Sequence, residues 1–201
     1  MFEMLAKGGF LVYPILACLI VVAAVFVERV IAFSQLKLRG AGLAIETASL
    51  LKEGRVTEAR EKAQKDNSTL GRVLTQAVDV HDADREMLET VLVSATSEEI
   101  RQMSRRTQLL ATIGNIAPSL GLLGTVIGMI KAFMVIQEMG GKVNAAVLAG
   151  GIWEAMLTTA LGLTVALPAI LAHSYLISRI DKHEAGIQQG TVAFVRNLCG
   201  R

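Results

Sequence analysis

The sequence has few of the residues from which catalytic centres, metal sites and disulfide-stabilised folds are built. Its 201 residues include 3 histidines, 2 cysteines and 3 prolines, and aromatic residues make up 4%. The cysteines, Cys18 and Cys199, lie far apart in no Cys-x-x-Cys or Cys/His cluster, so we expect neither a disulfide nor a metal site. No Ser/His or phosphate-loop pattern is present, so we expect no enzyme activity and no cofactor.

An excess of charge of either sign is also missing. The chain has 20 Lys and Arg residues against 18 Asp and Glu residues, for a net charge of +2. At the level of the whole chain, this balance indicates neither the basic footprint of a nucleic-acid-binding protein nor an acidic tail.

Hydrophobic residues, by contrast, make up 52% of the chain, which is typical of a membrane protein. Three uncharged runs, 8–27, 107–130 and 155–178, each reach the ~20 residues that a helix needs to cross a bilayer. The first run ends at Glu28-Arg29 without a small-x-small cleavage pattern, so we interpret it as a span rather than a cleaved signal.

Basic residues concentrate at one edge of every run. They are Arg29, Lys37 and Arg39 after the first, Arg101, Arg105 and Arg106 before the second, and Arg179 and Lys182 after the third. Before the first run there is only Lys7, and the short loop that joins the second and third spans has one basic residue, Lys142. The positive-inside rule therefore predicts that the N-terminus faces out of the cytoplasm and that the C-terminus lies in the cytoplasm.

The polar stretch between the first two spans has no proline and no strand-like alternation, so we predict an all-α protein. Gly54 and the run 66–68 should separate short helices over 43–52, 56–65 and 70–80. From Asp84 onward no breaker occurs before Pro118, which predicts one long helix running into the second span.

Glu98, Glu99, Arg101, Arg105 and Arg106 lie on the inner half of that predicted helix, and we interpret them as a solvated face with i to i+4 pairs. The C-terminal tail should continue the third span as a helix that packs beside the long helix predicted from Asp84. The second and third spans would then both extend into a cytoplasmic bundle. The predicted segments are 1–33 with the first span, a cytoplasmic region 34–106, the second span 107–136, an outer loop 137–146, the third span 147–178 and a cytoplasmic helix 179–201.

Two pairs of polar residues match in depth when the second and third spans are set antiparallel. Lys131 and Glu154 fall at the same outer level, where they could pair. Thr125 lies about 9 Å inward from Lys131, and Thr159 lies about 7.5 Å inward from Glu154, at ~1.5 Å per residue. A membrane threonine can also bond to its own helix carbonyl, so a purely local role for each hydroxyl stays open.

Small residues and prolines mark the same two helices. Pro118 and Pro168 fall near one layer, where both helices should be weakened. Small residues allow close helix approach in lipid, and the glycines assigned to packing are Gly121, Gly124, Gly128 and Gly162.

The deep layer contains hydroxyls but no carboxylate, although an ion path needs titratable groups at depth. A residue that carries protons there must therefore come from another chain. Glu154, at the outer edge, fits a partner of Lys131 or an entrance charge better than the central carrier. His173, near the inner end of the third span, is either a water-bonded interfacial residue or an exit-side relay.

The paired motifs "IAPSLGLLGTVIGMIKAF" and "GGIWEAMLTTALGLTVALPAI" resemble the signature of the ExbB/TolQ/MotA proton-channel family. The stretch "GGFLVYPILACLIVVAAVFVERV" is similar to the first span of its ExbB/TolQ branch. The resemblance covers nearly the whole chain, and three spans fit this branch better than the four-span flagellar type.

The resemblance implies a stator subunit of an inner-membrane motor: a ring-forming homo-oligomer of five copies around two single-span ExbD/TolR-like subunits. In that family an aspartate of the partner carries the proton, and force passes to a TonB-like or TolA-like envelope protein. The family's pore-lining residues fall on Thr125, Thr159 and Glu154, and we add the neighbouring Thr158.

Two positions depart from the family pattern. Lys131 stands where relatives often have a neutral residue, and His173-Ser174 stands where Tyr-Asn is common, so both are rim or exit candidates. The sequence is compatible with H⁺ or Na⁺ as the ion. A passive membrane scaffold, in which the small residues serve packing alone, is the alternative.

Overall fold

The computed structural model describes residues 9–35, 41–138 and 145–200. Within these ranges every regular element is an α-helix, as the sequence predicts. We number the helices α1 (Val12–Gln35), α2 (Gly42–Lys52), α3 (Val56–Lys65), α4 (Thr69–Val78), α5 (Arg85–Ser104), α6 (Thr107–Glu138) and α7 (Ala145–Cys199). Most of the predicted outer loop, and the basic residues Lys7, Lys37, Arg39 and Lys142, lie outside the described ranges.

Three of the helices are long and apolar enough to cross a membrane. They contain the candidate spans Val12–Ser34, Thr107–Glu138 and Leu148–Cys199. The chain is therefore a multi-pass membrane protein. The second and third predicted runs lie within α6 and α7, and the first predicted run overlaps α1 from Val12 onward. Pro118 and Pro168 are inside α6 and α7 without ending either helix.

The chain divides into two compact units. The apolar unit comprises residues 9–28, 106–138 and 145–175, and the polar unit comprises 29–35, 41–105 and 176–200.

The polar unit is built around a conventional hydrophobic core. Val73 and Leu74 of α4, Leu88 of α5 and Phe194 of α7 are all buried there. Because α5 and the end of α7 share this core, the prediction that the C-terminal helix packs beside the preceding long helix is confirmed. Burial of large apolar side chains of this kind is worth ~1.5–3 kcal/mol each.

The short helices of the polar unit begin and end within two residues of the predicted positions. Gly54 adopts a left-handed φ of 75°, which favours glycine, and so closes α2. Ser68 caps α4, because its hydroxyl accepts a hydrogen bond from the Gly71 N–H at 3.1 Å.

The prediction of one uninterrupted helix from Asp84 into the second span is wrong. Helix α5 ends at Ser104 and α6 begins at Thr107, although Arg105 keeps helical angles (φ −51°, ψ −37°). No proline or glycine lies at the interruption. It coincides instead with a tertiary contact, because Arg106 forms an ion pair with Glu28 in the C-terminal half of α1.

The interpretation of the α5 charges as a solvated face is correct for Glu98 and wrong for Glu99. Glu98 pairs with Arg101 on the surface at 2.5 Å. The Glu99 side chain is only 9% exposed, and it accepts two hydrogen bonds from Arg72 of α4, at 2.9 and 2.5 Å. These bonds raise the pKa of Arg72. This bidentate ion pair, in which Glu99 is the buried partner, joins α4 to α5.

We predict that Glu99→Gln lowers the free energy of unfolding by about 1–3 kcal/mol, because the buried side chain loses its negative charge and one of the two oxygens that accept hydrogen bonds from Arg72. Thermal unfolding of the full chain in detergent measures the change. The matched control is Glu98→Gln, which removes a solvent-exposed pair on the same helix and should leave the unfolding temperature unchanged. Equal effects of the two variants would contradict the assigned role of Glu99.

Candidate functional site

The candidate site lies where α6 and α7 pack against each other in the apolar unit. The buried face of α6 consists almost entirely of small residues: Gly114, Ala117, Gly121, Gly124, Gly128 and Ala132. Opposite it, Ala155 lies at Gly128 and Thr158 lies at Gly124, so the two helices run antiparallel.

The glycines are needed because the two backbones approach very closely. A Cβ on Gly162 would lie 2.6 Å from the Ala117 carbonyl oxygen, and one on Gly121 would lie 3.0 Å from Thr159 Cα. A Cβ on Gly124 would overlap the Thr158 hydroxyl. Since apolar surface gives helices no mutual attraction in lipid, this close packing supplies the van der Waals contact that holds α6 to α7.

The three threonines of the predicted pathway occupy different positions around this contact. Thr158 is buried inside it, and its hydroxyl donates to the Ala155 carbonyl at 2.8 Å. The Thr159 hydroxyl crosses to α6 and donates to the Gly121 carbonyl at 3.1 Å. The Thr125 hydroxyl donates locally, to the Leu122 carbonyl at 2.6 Å. Each hydroxyl oxygen keeps a lone pair that can accept a further hydrogen bond.

The outer charge pair that the sequence suggests is present. Lys131 Nζ lies 3.0 Å from Glu154 Oε1, which joins the C-terminal part of α6 to the N-terminal part of α7. The same carboxylate oxygen lies against Gly9, just before α1, and a Cβ on Gly9 would overlap it. Gly9 has a left-handed φ of 71°. Sequence reasoning missed Gly9; the Gly-Gly step that opens the first apolar run was the available signal.

Helix α1 packs along one flank of the α6–α7 pair. Ile15 of α1 is fully buried in a cluster with Ala117 and Val165, and Cys18 packs against the same cluster. Toward the inner end, Phe26 meets Tyr175 edge-on with ring centroids 6.3 Å apart. Helix α1 therefore covers most of the length of this flank.

The opposite flank carries Thr125 and Thr159. On α7, Thr159 is five residues from Glu154, which places it about 140° around the helix at ~100° per residue. On α6, Thr125 is six residues from Lys131, or about 120° around that helix. Because the α6–α7 contact lies between the two flanks, the hydroxyls face away from the charge pair. Leu122, Val126 and Leu163 are exposed near them.

His173 is half-buried near the inner end of the α7 span, apart from the threonines. Among the described residues no group of three or more His, Cys, Asp or Glu side chains could hold a metal ion. The described residues of the hydroxyl-bearing flank thus combine two threonine hydroxyls with exposed apolar side chains.

The chain is similar to known proteins of one family. The sequence profile of the MotA/TolQ/ExbB proton channel family matches residues 64–189. The biopolymer transport protein ExbB-like 1 of Synechocystis sp. is 33% identical over 175 residues, covering 86% of this chain and 68% of that protein. ExbB-like 3 of the same organism is 29% identical, covering 92% of this chain and 88% of that protein.

The Tol-Pal system protein TolQ of Haemophilus influenzae is 38% identical over 91 residues, which cover 45% of this chain and 39% of TolQ. Similarity therefore extends to both the ExbB and the TolQ members of the family.

We predict that Gly124→Ala lowers the stability of the full chain in detergent by about 1–3 kcal/mol, because the added methyl group overlaps Thr158. Gly150→Ala is the matched control, since nothing lies within 4 Å of its Cβ position on the same pair of helices. That control should be neutral or slightly stabilising. If the two variants unfold at the same temperature, the α6–α7 contact is not as close as described.

Proposed function

This chain belongs to the MotA/TolQ/ExbB proton channel family, and on that premise we propose that it is the channel-forming stator subunit of a bacterial inner-membrane motor. In this proposal several copies, five by analogy with the family, form a ring around a partner helix. The partner is an ExbD/TolR-like single-span subunit, present in two copies, that carries a membrane aspartate. The N-terminus faces the periplasm and the C-terminus faces the cytoplasm.

The observation that carries the proposal is the composition of the flank that α1 leaves uncovered. Thr125 and Thr159 lie on it beside exposed Leu122, Val126 and Leu163. The described residues of this flank include no carboxylate. A flank in contact with lipid alone would not require two hydroxyls. A helix that brings its own acid complements this surface, because the hydroxyls can solvate the acid while the apolar side chains pack against the helix.

The energy available matches the work proposed. A proton crossing ~150 mV releases roughly 3.5 kcal/mol, scaled from ~2.3 kcal/mol per 100 mV. Interhelical hydrogen bonds in membranes are worth about 0.6–2 kcal/mol each. One proton can therefore break a few such contacts between the ring and the partner, and successive protons would drive steps that transmit force to a TonB-like or TolA-like envelope protein.

A passive scaffold is the second candidate, and one observation favours it. The hydroxyls of Thr125 and Thr158 each donate to a carbonyl of their own helix, as a threonine with only a packing role would do. A scaffold of this kind would assemble normally and move no protons.

We predict that Thr159→Val lowers proton flux about tenfold, because losing ~1–1.5 kcal/mol of hydrogen bonding at a barrier changes a rate by that factor. The chain and its single-span partner are reconstituted in vesicles, and flux under an imposed potential is followed with a pH-sensitive dye. Thr125→Val is expected to act in the same direction.

Thr164→Val is the matched control for this assay. Thr164 lies on α7 about 140° from Thr159, is exposed, and its hydroxyl donates only to the Ala160 carbonyl of its own helix. It should leave proton flux unchanged. Absence of proton flux through the unmodified complex would favour the scaffold, and equal flux through the Thr159→Val and Thr164→Val complexes would rule out a threonine-lined path.

A further inference from the structure

Two arginines of the polar unit lie at one level on α1 and α7. Phe33 of α1 contacts His183 of α7, with ring centroids 5.9 Å apart. Arg29 precedes Phe33 by four residues, and Arg179 precedes His183 by four. Both helices run from the apolar unit into the polar unit, so here they run in the same direction. In parallel helices, the residues four positions before a contacting pair form the preceding layer of the same contact. Arg29 and Arg179 therefore share the layer next to the ring contact.

The guanidinium group of Arg29 is incompletely satisfied by the protein. Arg29 lies on the packed face of α1, four residues after buried Val25 and four before buried Phe33. Its side chain is half-buried, and its Nε is buried without a hydrogen-bond partner among the described residues. A buried donor of this kind is costly and is usually paired with protein, water or a ligand. The Arg29 Nε–H can thus donate to a group from outside the chain.

The two arginines also place two permanent positive charges in one layer, because a guanidinium group does not lose its proton in proteins. The nearest acid of α7, Asp181, is two residues from Arg179, or about 200° around the helix. Glu28 of α1 forms an ion pair with Arg106. An anion between the two guanidinium groups would offset their repulsion. Phosphate suits such a site well, since guanidinium binds its oxygens through two parallel hydrogen bonds.

The arginine layer lies near the end of a candidate membrane span, at the level where phospholipid headgroups are expected. The span of α1 is Val12–Ser34, so Arg29 falls within its last two turns. Val30 and Ile31, which follow Arg29, are 36% and 53% exposed. Basic residues at a membrane edge attract anionic lipid headgroups, and exposed apolar side chains beside them can contact acyl chains. The surroundings of Arg29 therefore suit a phosphate that belongs to a lipid.

We propose that Arg29 and Arg179 form a binding site for a phosphate group, and that the headgroup of an acidic phospholipid supplies this group. The two guanidinium groups hold the phosphate oxygens from α1 and α7, and the acyl chains lie along Val30 and Ile31. The bound lipid ties these two helices together at the edge of the membrane. This inference goes beyond the proposed function and does not depend on proton transport.

Thermal unfolding of the full chain in detergent, after removal of native lipid, tests the site. Dioleoylphosphatidylglycerol is the probe, and dioleoylglycerol, which has the same acyl chains but no phosphate, is the matched control ligand. At about ten times its Kd the phospholipid should raise the unfolding temperature by about 3–6 °C, and dioleoylglycerol should raise it by less than about 1 °C. Equal shifts with the two lipids would overturn the proposal.

Single substitutions locate the site. Arg29→Gln and Arg179→Gln each remove one guanidinium group and should weaken binding of the phospholipid about tenfold or more. Arg60→Gln is the matched control, because Arg60 lies on α3, is exposed and pairs with Asp79. This control should keep the full shift in unfolding temperature. If both Arg29→Gln and Arg179→Gln also keep it, the phosphate is not bound by these arginines.

Unfolding without added lipid separates a ligand site from a contact within the chain. Since two positive charges in one layer repel, Arg29→Gln should unfold at the same temperature as the unmodified chain or higher. A loss of about 4 °C or more in both Gln variants would show that the arginines serve the fold itself, which contradicts the proposal. Should a Gln variant fail to fold, Arg29→Lys keeps the charge but not the planar fork, and unchanged lipid affinity in that variant would contradict bidentate binding.

Inorganic phosphate distinguishes the source of the group. At about 10 mM it should change the unfolding temperature by less than about 1 °C, because it lacks the acyl chains that add to binding. If free phosphate instead stabilises the chain as much as the phospholipid does, and Arg29→Gln abolishes the effect, the phosphate site stands and its assignment to a lipid is wrong.

Discussion

The close approach of α6 and α7 is the constraint on which the rest of the apolar unit depends. In lipid there is no hydrophobic force between helices, so contact must come from backbone surfaces that fit together. Gly121, Gly124, Gly128 and Gly162 allow this fit, and Thr159 adds a hydrogen bond from α7 to the Gly121 carbonyl of α6. With larger side chains at these positions, the two helices would separate.

Once the two helices are in contact, their side chains divide between two flanks. The covered flank holds α1, the apolar cluster around Ile15 and the Lys131–Glu154 pair. The uncovered flank holds Thr125 and Thr159 among exposed apolar residues. The flank that α1 covers and the flank that carries the two half-buried threonines therefore lie on opposite sides of the α6–α7 contact.

The polar unit follows different physical rules. Large side chains such as Leu74, Leu88 and Phe194 fill its core, as expected where water supplies the driving force. Two hydrogen bonds from Arg72 offset the cost of burying the Glu99 carboxylate there. The sequence predicted the bounds of this unit's helices well, since Gly54 and Ser68, which lie at helix ends, act locally on the backbone. It did not predict the pairing of Glu99, which depends on the neighbouring helix.

The sequence by itself determined the helical class, the three apolar runs, the family and the level at which Lys131 and Glu154 meet, because each follows from composition, motif or rise per residue. It also fixed how far around its helix each polar residue lies. The tertiary structure alone decided the interruption at 105–106 and which flank α1 covers. Both involve contacts between segments far apart in the chain, such as Glu28 with Arg106 and Gly9 with Glu154, whereas helical periodicity relates only near neighbours.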